Sequence, residues 1–317
     1  MNIKALAVCG TVLGAAAAET VNLYKQVMGR NDRREMPVTK WMNKAGQADA
    51  AVAAKWLEPH NRWVAEQEIE RCMITSDRGD ILRGYYLPPS GDSKVIVFGS
   101  HGFHSDHAGD PHTFIRHYHE MGYGFFCCDH VGSSSSGGKY VGFDYYESRD
   151  MLRWIEYLTA RFGSDITVIL HGVSMGAATV LQLAGQNCPA CVKLIISDCA
   201  YTSAMDEFEH VVRDAGISRP KPVLQIFNAI NKRLAGFDLK DTDVRQSVAN
   251  AQVPVLFIHG GQDDFVPTRM VYELYNLCPM DKKEMKVFDN AKHAQSLMLN
   301  EKEYLQLVDD FIARRLD

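Results

Sequence analysis

Short, near-continuous apolar runs alternate along this chain with stretches of helical period, and that alternation leaves few folds open. The runs are KVIVFGS (94–100), YGFFCCD (123–129), DITVILHG (165–172), VKLIISD (192–198), PVLFIHG (254–260) and EMKVFD (284–289). Between and after them, helices are expected over 113–121, 147–161, 175–186 and about 301–315. Strands covered on both faces are apolar throughout, and when they alternate with helices they form a mostly parallel sheet between two helical layers. Ahead of the runs, EIERCMITS and ILRGYYLPP flank Asp77-Arg78-Gly79-Asp80, a turn signal that predicts a β-hairpin. Earlier still, 38–63 reads as a helix with Trp41, Ala45, Val52, Trp56 and Leu57 on one face. The expected class is α/β, with a mostly parallel central sheet and helices on both faces.

One gap breaks the alternation. About fifty residues separate SDCAY from VPVLFIHG, more than a simple crossover uses. They include DEFEHVVRDAG and KPVLQIFNAINKRLAGF, both helix-like, so a small helical cap is expected over the sheet's carboxyl edge. Its Phe208, Ile226, Phe227 and Phe237 suggest an apolar pocket. The division that follows is an Ala-rich apolar segment (1–30), a helical region (31–65), an α/β core (66–200 with 253–317) and the cap (201–252).

Ligands of such sheets bind beyond the carboxyl ends of the strands, so the residues just after each run are the ones to inspect. After DITVILHG comes Gly172-Val173-Ser174-Met175-Gly176, then AATVLQLAG. A G-x-S-x-G between a buried strand and a helix holds the serine on a turn so tight that its neighbours two positions away must be tiny. The turn exposes the hydroxyl and aims the Met175 N–H at an oxyanion. A serine nucleophile needs a base, and the base an orienting acid. In this architecture they follow in the order acid, then histidine. GQDDFVP, after one strand, supplies Asp263, with Asp264 as the alternative acid, and Asp198 at the end of the previous strand is a third choice. NAKHAQS, after the last strand, supplies His293. The competing structural roles are a turn-capping Asp263 and a surface His293.

The loop after the first parallel strand, SHGFHSDHAGD (100–110), has two readings. Phe103 is placed to give a second N–H to an oxyanion, with Gly102 letting the backbone approach. Alternatively, His101, His104, Asp106 and His107 suggest a zinc hydrolase. The metal pattern H-x-H-x-D-H would need a histidine where Gly102 stands, and His101 is one position off, so metal catalysis is the lesser reading. His112, His117 and His119 are expected to be solvated or packed on the following helix. Cys188-Pro-Ala-Cys191 is a single CxxC, which cannot close a four-ligand site. GSSSSGG (132–138) reads as a flexible loop.

The formal charge of −5 and the lack of a basic run exclude a nucleic-acid partner. Eight cysteines without framework spacing favour a reducing compartment, hence the cytoplasm. The opening MNIKALAVCGTVLGAAAAETV keeps open a signal, a membrane tether or a packed helix.

The runs HGF, GVSMG, HGGQDDFVP and NAKHAQS, with SDCAYTS and VPTRMVYELYN, resemble the α/β-hydrolase superfamily. More narrowly they resemble the bacterial serine hydrolases grouped with the serine aminopeptidase S33 and prolyl-oligopeptidase-like branch. The resemblance covers about residue 66 to the C-terminus. It implies an α/β-hydrolase fold and an esterase, lipase or peptidase. Ser174 would be the nucleophile, Asp263 the acid and His293 the base, with the N–H groups of Phe103 and Met175 forming the oxyanion hole and no cofactor or metal. Its partners would be a small-molecule ester or amide and water. An ester is expected over a peptide. Many relatives carry an Arg-Gly-His-Gly-like run where this chain reads DHVGSSSSGG, which bears on the entrance loop. Relatives often carry an N-terminal hydrophobic segment, which adds to the case for membrane contact there.

Overall fold

The architecture is that of a computed structural model, which describes residues 21, 22, 24–30, 50–185 and 188–316. Residues 24–28 are helical, and α1 spans Ala50–Ala65. The hairpin follows as β1 (Glu70–Thr75) and β2 (Ile81–Leu87). The alternating part runs β3 (Val95–Ser100), α2 (His112–Glu120), β4 (Gly124–Cys128), α3 (Tyr145–Phe162), β5 (Thr167–Val173), α4 (Met175–Gln182) and β6 (Val192–Asp198). α5 (Ala204–Asp214), α6 (Pro220–Leu234) and α7 (Arg245–Ala249) come next. β7 (Val255–Gly260), α8 (Arg269–Leu277), β8 (Lys283–Phe288), α9 (Ser296–Leu299) and α10 (Glu301–Leu316) complete the chain.

The eight strands form one sheet in the order β1-β2-β4-β3-β5-β6-β7-β8. The pairs β1/β2 and β2/β4 are antiparallel and the rest parallel. β3, β4 and β5 are buried almost throughout because both faces carry a core. One core gathers Phe98, Phe126, Trp154, Leu170 and Leu181, and the other Phe114, Phe125, Ile169, Ile258 and Phe311. Successive residues of one strand, such as Phe125 and Phe126, therefore enter opposite layers.

Three expectations change. The helix expected over 38–63 is described only from Ala50, its earlier part lying outside the described residues, and it continues to Ala65. The helix expected to reach 186 stops at Gln182, because Leu183 and Ala184 bond back to Val180 and Leu181 in a tightened last turn before Gly185. The serine-rich loop is held in place: Ser136 Oγ donates to the Asp129 carbonyl and accepts from the Arg83 N–H, and Ser133 and Ser136 are buried. Among the described residues no helix is long and apolar enough to cross a membrane. The seven described cysteines, including Cys188 and Cys191, are free.

Candidate active site

The order of strands brings distant loops together. β3 and β5 are neighbours, with Ser100 paired to Gly172, so the loop after β3 lies beside the turn after β5. Ser174 occupies that turn at φ 57°, ψ −119°, a conformation L-residues rarely adopt, just before α4. The two glycines are steric requirements. A Cβ on Gly172 would lie 2.2 Å from the Gly176 carbonyl oxygen, and one on Gly176 would lie 2.1 Å from the Ser100 carbonyl oxygen. The Ser174 N–H donates to the Asp198 carbonyl at 2.8 Å, tying the turn to β6. Met175 is the first residue of α4, where helical N–H groups have no intrahelical acceptor.

His293 meets Ser174 across 119 positions of sequence. Its Nε2 lies 2.9 Å from Ser174 Oγ and its Nδ1 2.8 Å from Asp263 Oδ2. An ionised carboxylate only accepts, so Nδ1 carries the proton and donates, leaving Nε2 to accept from the serine hydroxyl. Asp263 is used twice. Its Oδ1 accepts from the N–H groups of Phe265 (3.0 Å) and Val266 (2.8 Å), so it caps the turn and orients the imidazole at once. His259 also faces it, with Nε2 2.9 Å from the Val266 carbonyl and 3.3 Å from Asp263 Oδ2.

The electrostatics follow from these contacts. Burial would raise the Asp263 pKa, but the charge of His293 and the bonds from His259 and His293 prevail and hold it well below the usual carboxylate range. Burial would likewise lower His293, but the Asp263 charge and hydrogen bond raise it above its ordinary value. Asp264, the alternative acid, is exposed, and its backbone carbonyl accepts from His210. Asp198, the third choice, is buried and pushed up to about 6, chiefly by burial, and makes no described hydrogen bond to the imidazole.

The histidine-rich loop disperses its side chains. His101 Nε2 accepts from the His130 N–H at 3.0 Å, so its Nδ1 donates to the Gly102 carbonyl; burial keeps it neutral. His107 Nδ1 bonds Asp129 Oδ1 at 2.8 Å, while His104 packs edge-on against Phe103 and is lowered to about 4 by burial. The zinc set His101, His104, Asp106 and His107 is thus not brought together. Among the described residues the grouping able to hold a metal is Cys199, Asp263 and His293, and the last two are already joined in the hydrogen-bond path to Ser174. His112 is buried against Asn61, His117 pairs with Asp309, and His119 packs on Trp63.

Two carboxylates that sequence reasoning passed over shape this loop. Asp110 Oδ2 accepts from the Gly102 N–H at 2.8 Å, fixing the backbone next to Phe103. Asp129, at the end of β4, accepts from His107, Tyr85 and the Ser135 N–H, and so joins the loop after β3 to the loop after β4. Its position just after an apolar run was the available signal.

In front of Ser174 lies a cavity of about 440 Å³, lined mainly by apolar side chains including Phe103, Met175, Phe208, Val211, Phe227 and Phe265. Of the four cap residues expected there, Phe208 and Phe227 line it. Ile226 is 55% exposed, and Phe237 stacks on Tyr145 at 4.6 Å instead. The helical period of α6 turns adjacent residues 226 and 227 to different sides.

Residues 91–234 match the family described as serine aminopeptidase, S33. The Bacillus subtilis protein YqkD is 24% identical over 255 residues, 80% of this chain and 83% of that protein. Human monoglyceride lipase is 23% identical over 251 residues, 70% of this chain and 82% of the lipase. Among solved structures, the Pyrococcus furiosus esterase Pf2001 superposes with a TM-score of 0.65 at 18% identity, over 83% of this chain and 94% of the esterase. The acylaminoacyl peptidase of Pyrococcus horikoshii does so with a TM-score of 0.60 at 16% identity, over 80% of this chain and 43% of the peptidase.

Proposed function

We propose that the chain, which has the α/β-hydrolase fold and matches the serine aminopeptidase S33 family over residues 91–234, is a serine hydrolase that cleaves carboxylic esters through an acyl-enzyme intermediate. The observation that carries this reading is the continuous hydrogen-bond path from Ser174 Oγ through His293 to Asp263, at 2.9 and 2.8 Å. Ser174 attacks the carbonyl as His293 Nε2 takes its proton. Asp263 keeps the imidazole in the useful tautomer and stabilises its charged form. The N–H groups of Phe103 and Met175 hold the tetrahedral oxyanion. His293 then protonates the leaving alcohol, and water, activated by the same imidazole, releases the acid.

An ester is favoured over a peptide by the mainly apolar lining of the cavity. Amide cleavage on the same triad is the second reading, favoured by the match to the S33 aminopeptidases and the likeness to an acylaminoacyl peptidase. A fluorophosphonate probe should label the wild type and not Ser174→Ala, whose ester turnover should fall by on the order of 10³-fold or more. Equal labelling of the two proteins refutes the assignment. Turnover of butyryl p-nitroanilide above that of p-nitrophenyl butyrate would favour the peptidase.

A further inference from the structure

α5 and its C-cap Ala215 turn an apolar face to the cavity, with Phe208, Val211 and Val212 on the helix itself. The same face carries Glu207. Glu207 is 4% exposed and is one of the residues that line the cavity together with Ser174, with both carboxyl oxygens buried. Among the described residues neither of its carboxyl oxygens has a hydrogen-bond partner. A buried polar group without a partner costs free energy in any fold, and a leucine or methionine would fill the position without that cost. A partner that arrives with the ligand removes the conflict.

The state of the carboxyl narrows what that partner is. Burial first, and the Asp263 carboxylate second, hold Glu207 protonated well above the usual range, against the opposing charge of Arg269. A neutral carboxyl donates through its O–H and accepts through its carbonyl oxygen. A hydroxyl does both as well and is its uncharged complement. An ammonium would need the ionised form, which burial and the Asp263 charge oppose.

We propose that Glu207 is a specificity-determining residue that hydrogen-bonds a hydroxyl on the part of the substrate lodged in the apolar cavity, so that hydroxylated aliphatic esters are preferred over plain ones. This rests on the serine-hydrolase reading and adds a substrate class to it. A site built to bond a hydroxyl discriminates strongly against the analogue that lacks it, because the site's own polar group is then left unpaired.

The test compares kcat/KM within matched pairs by pH-stat titration. The pairs are methyl hexanoate with methyl 3-hydroxyhexanoate and methyl 6-hydroxyhexanoate, and hexyl acetate with 6-hydroxyhexyl acetate. Methyl 6-aminohexanoate is added as the charged analogue. In the wild type at least one hydroxyl ester should exceed its parent by about tenfold or more. Glu207→Gln, which keeps a donor and an acceptor, should retain most of that ratio, and Glu207→Leu should bring it to about one. Ratios taken within one protein are insensitive to how much of it is folded. A wild type that takes the fluorophosphonate label but shows no hydroxyl preference overturns this inference alone. So does a preference that survives in Glu207→Leu, or a preference for the amino ester. A wild type that takes no label overturns the serine-hydrolase reading and this inference with it.

Discussion

At the scale of single residues the site depends on two pKa values pushed apart. Asp263 is depressed and His293 raised because each stabilises the charged form of the other against burial. In the proposed mechanism the base works only when neutral, so the rate should rise with pH as His293 loses its proton. The acid limb of the kcat/KM profile should therefore lie above pH 6.5, the ordinary histidine value. Asp263→Asn removes the charge that raises His293 and leaves burial to lower it. The limb should move to lower pH while the plateau drops by on the order of 10⁴-fold. A pH–rate series on both proteins checks this, and a limb that stays in place would show that Asp263 is not what sets the imidazole's proton affinity. The adjacent Asp263 and Asp264 were alike as residues. What separates them is the turn, which buries one against His293 and exposes the other.

At the scale of elements, the strand–turn–helix β5–α4 is held against the end of β3 with no room to spare. A methyl group on Gly176 would collide with the carbonyl oxygens of Ser100 and His101, which lead directly to Phe103. That backbone cannot yield without moving the Phe103 N–H, to which the proposed mechanism gives the oxyanion. Gly176→Ala should lose about 1–3 kcal/mol of stability, and kcat/KM should fall by on the order of 10²-fold through misplacement. Urea unfolding and ester kinetics measure the two effects. A variant with full activity would show that the loop after β3 does not contribute to the oxyanion. The glycine spacing was legible in the sequence because the constraint is local. The partner carbonyls were not, because they belong to a strand more than seventy positions earlier.

At the scale of the molecule, the cap helices close the cavity over the sheet's carboxyl edge. Phe227 of α6 is buried, packs on Phe208 and lines the cavity. Phe227→Ala should lengthen the space in front of Ser174 and move the preferred acyl chain upward in an acetate-to-dodecanoate p-nitrophenyl series. The lost packing should cost about 3–5 kcal/mol of stability. An unchanged chain-length optimum would show that α6 does not bound the substrate.

The sequence by itself determined what depends on neighbours along the chain. Burial on both faces wrote itself as near-continuous apolar runs, and the tight turn as two glycines flanking a serine. The hairpin announced itself by its turn, and the long interval before β7 by its length. Tertiary structure decided what depends on meetings across the sheet. It set β3 beside β5, so that Gly102 lies against Ser174, and turned Asp263 rather than Asp264 to the imidazole. It gave His101 and His107 to different partners and put Phe227 but not Ile226 into the cavity. It also left Glu207 without a hydrogen-bond partner among the described residues, on an apolar face. Periodicity records only whether a side chain is covered. Which group covers it is set by strand order and by the paths of loops that local sequence does not encode.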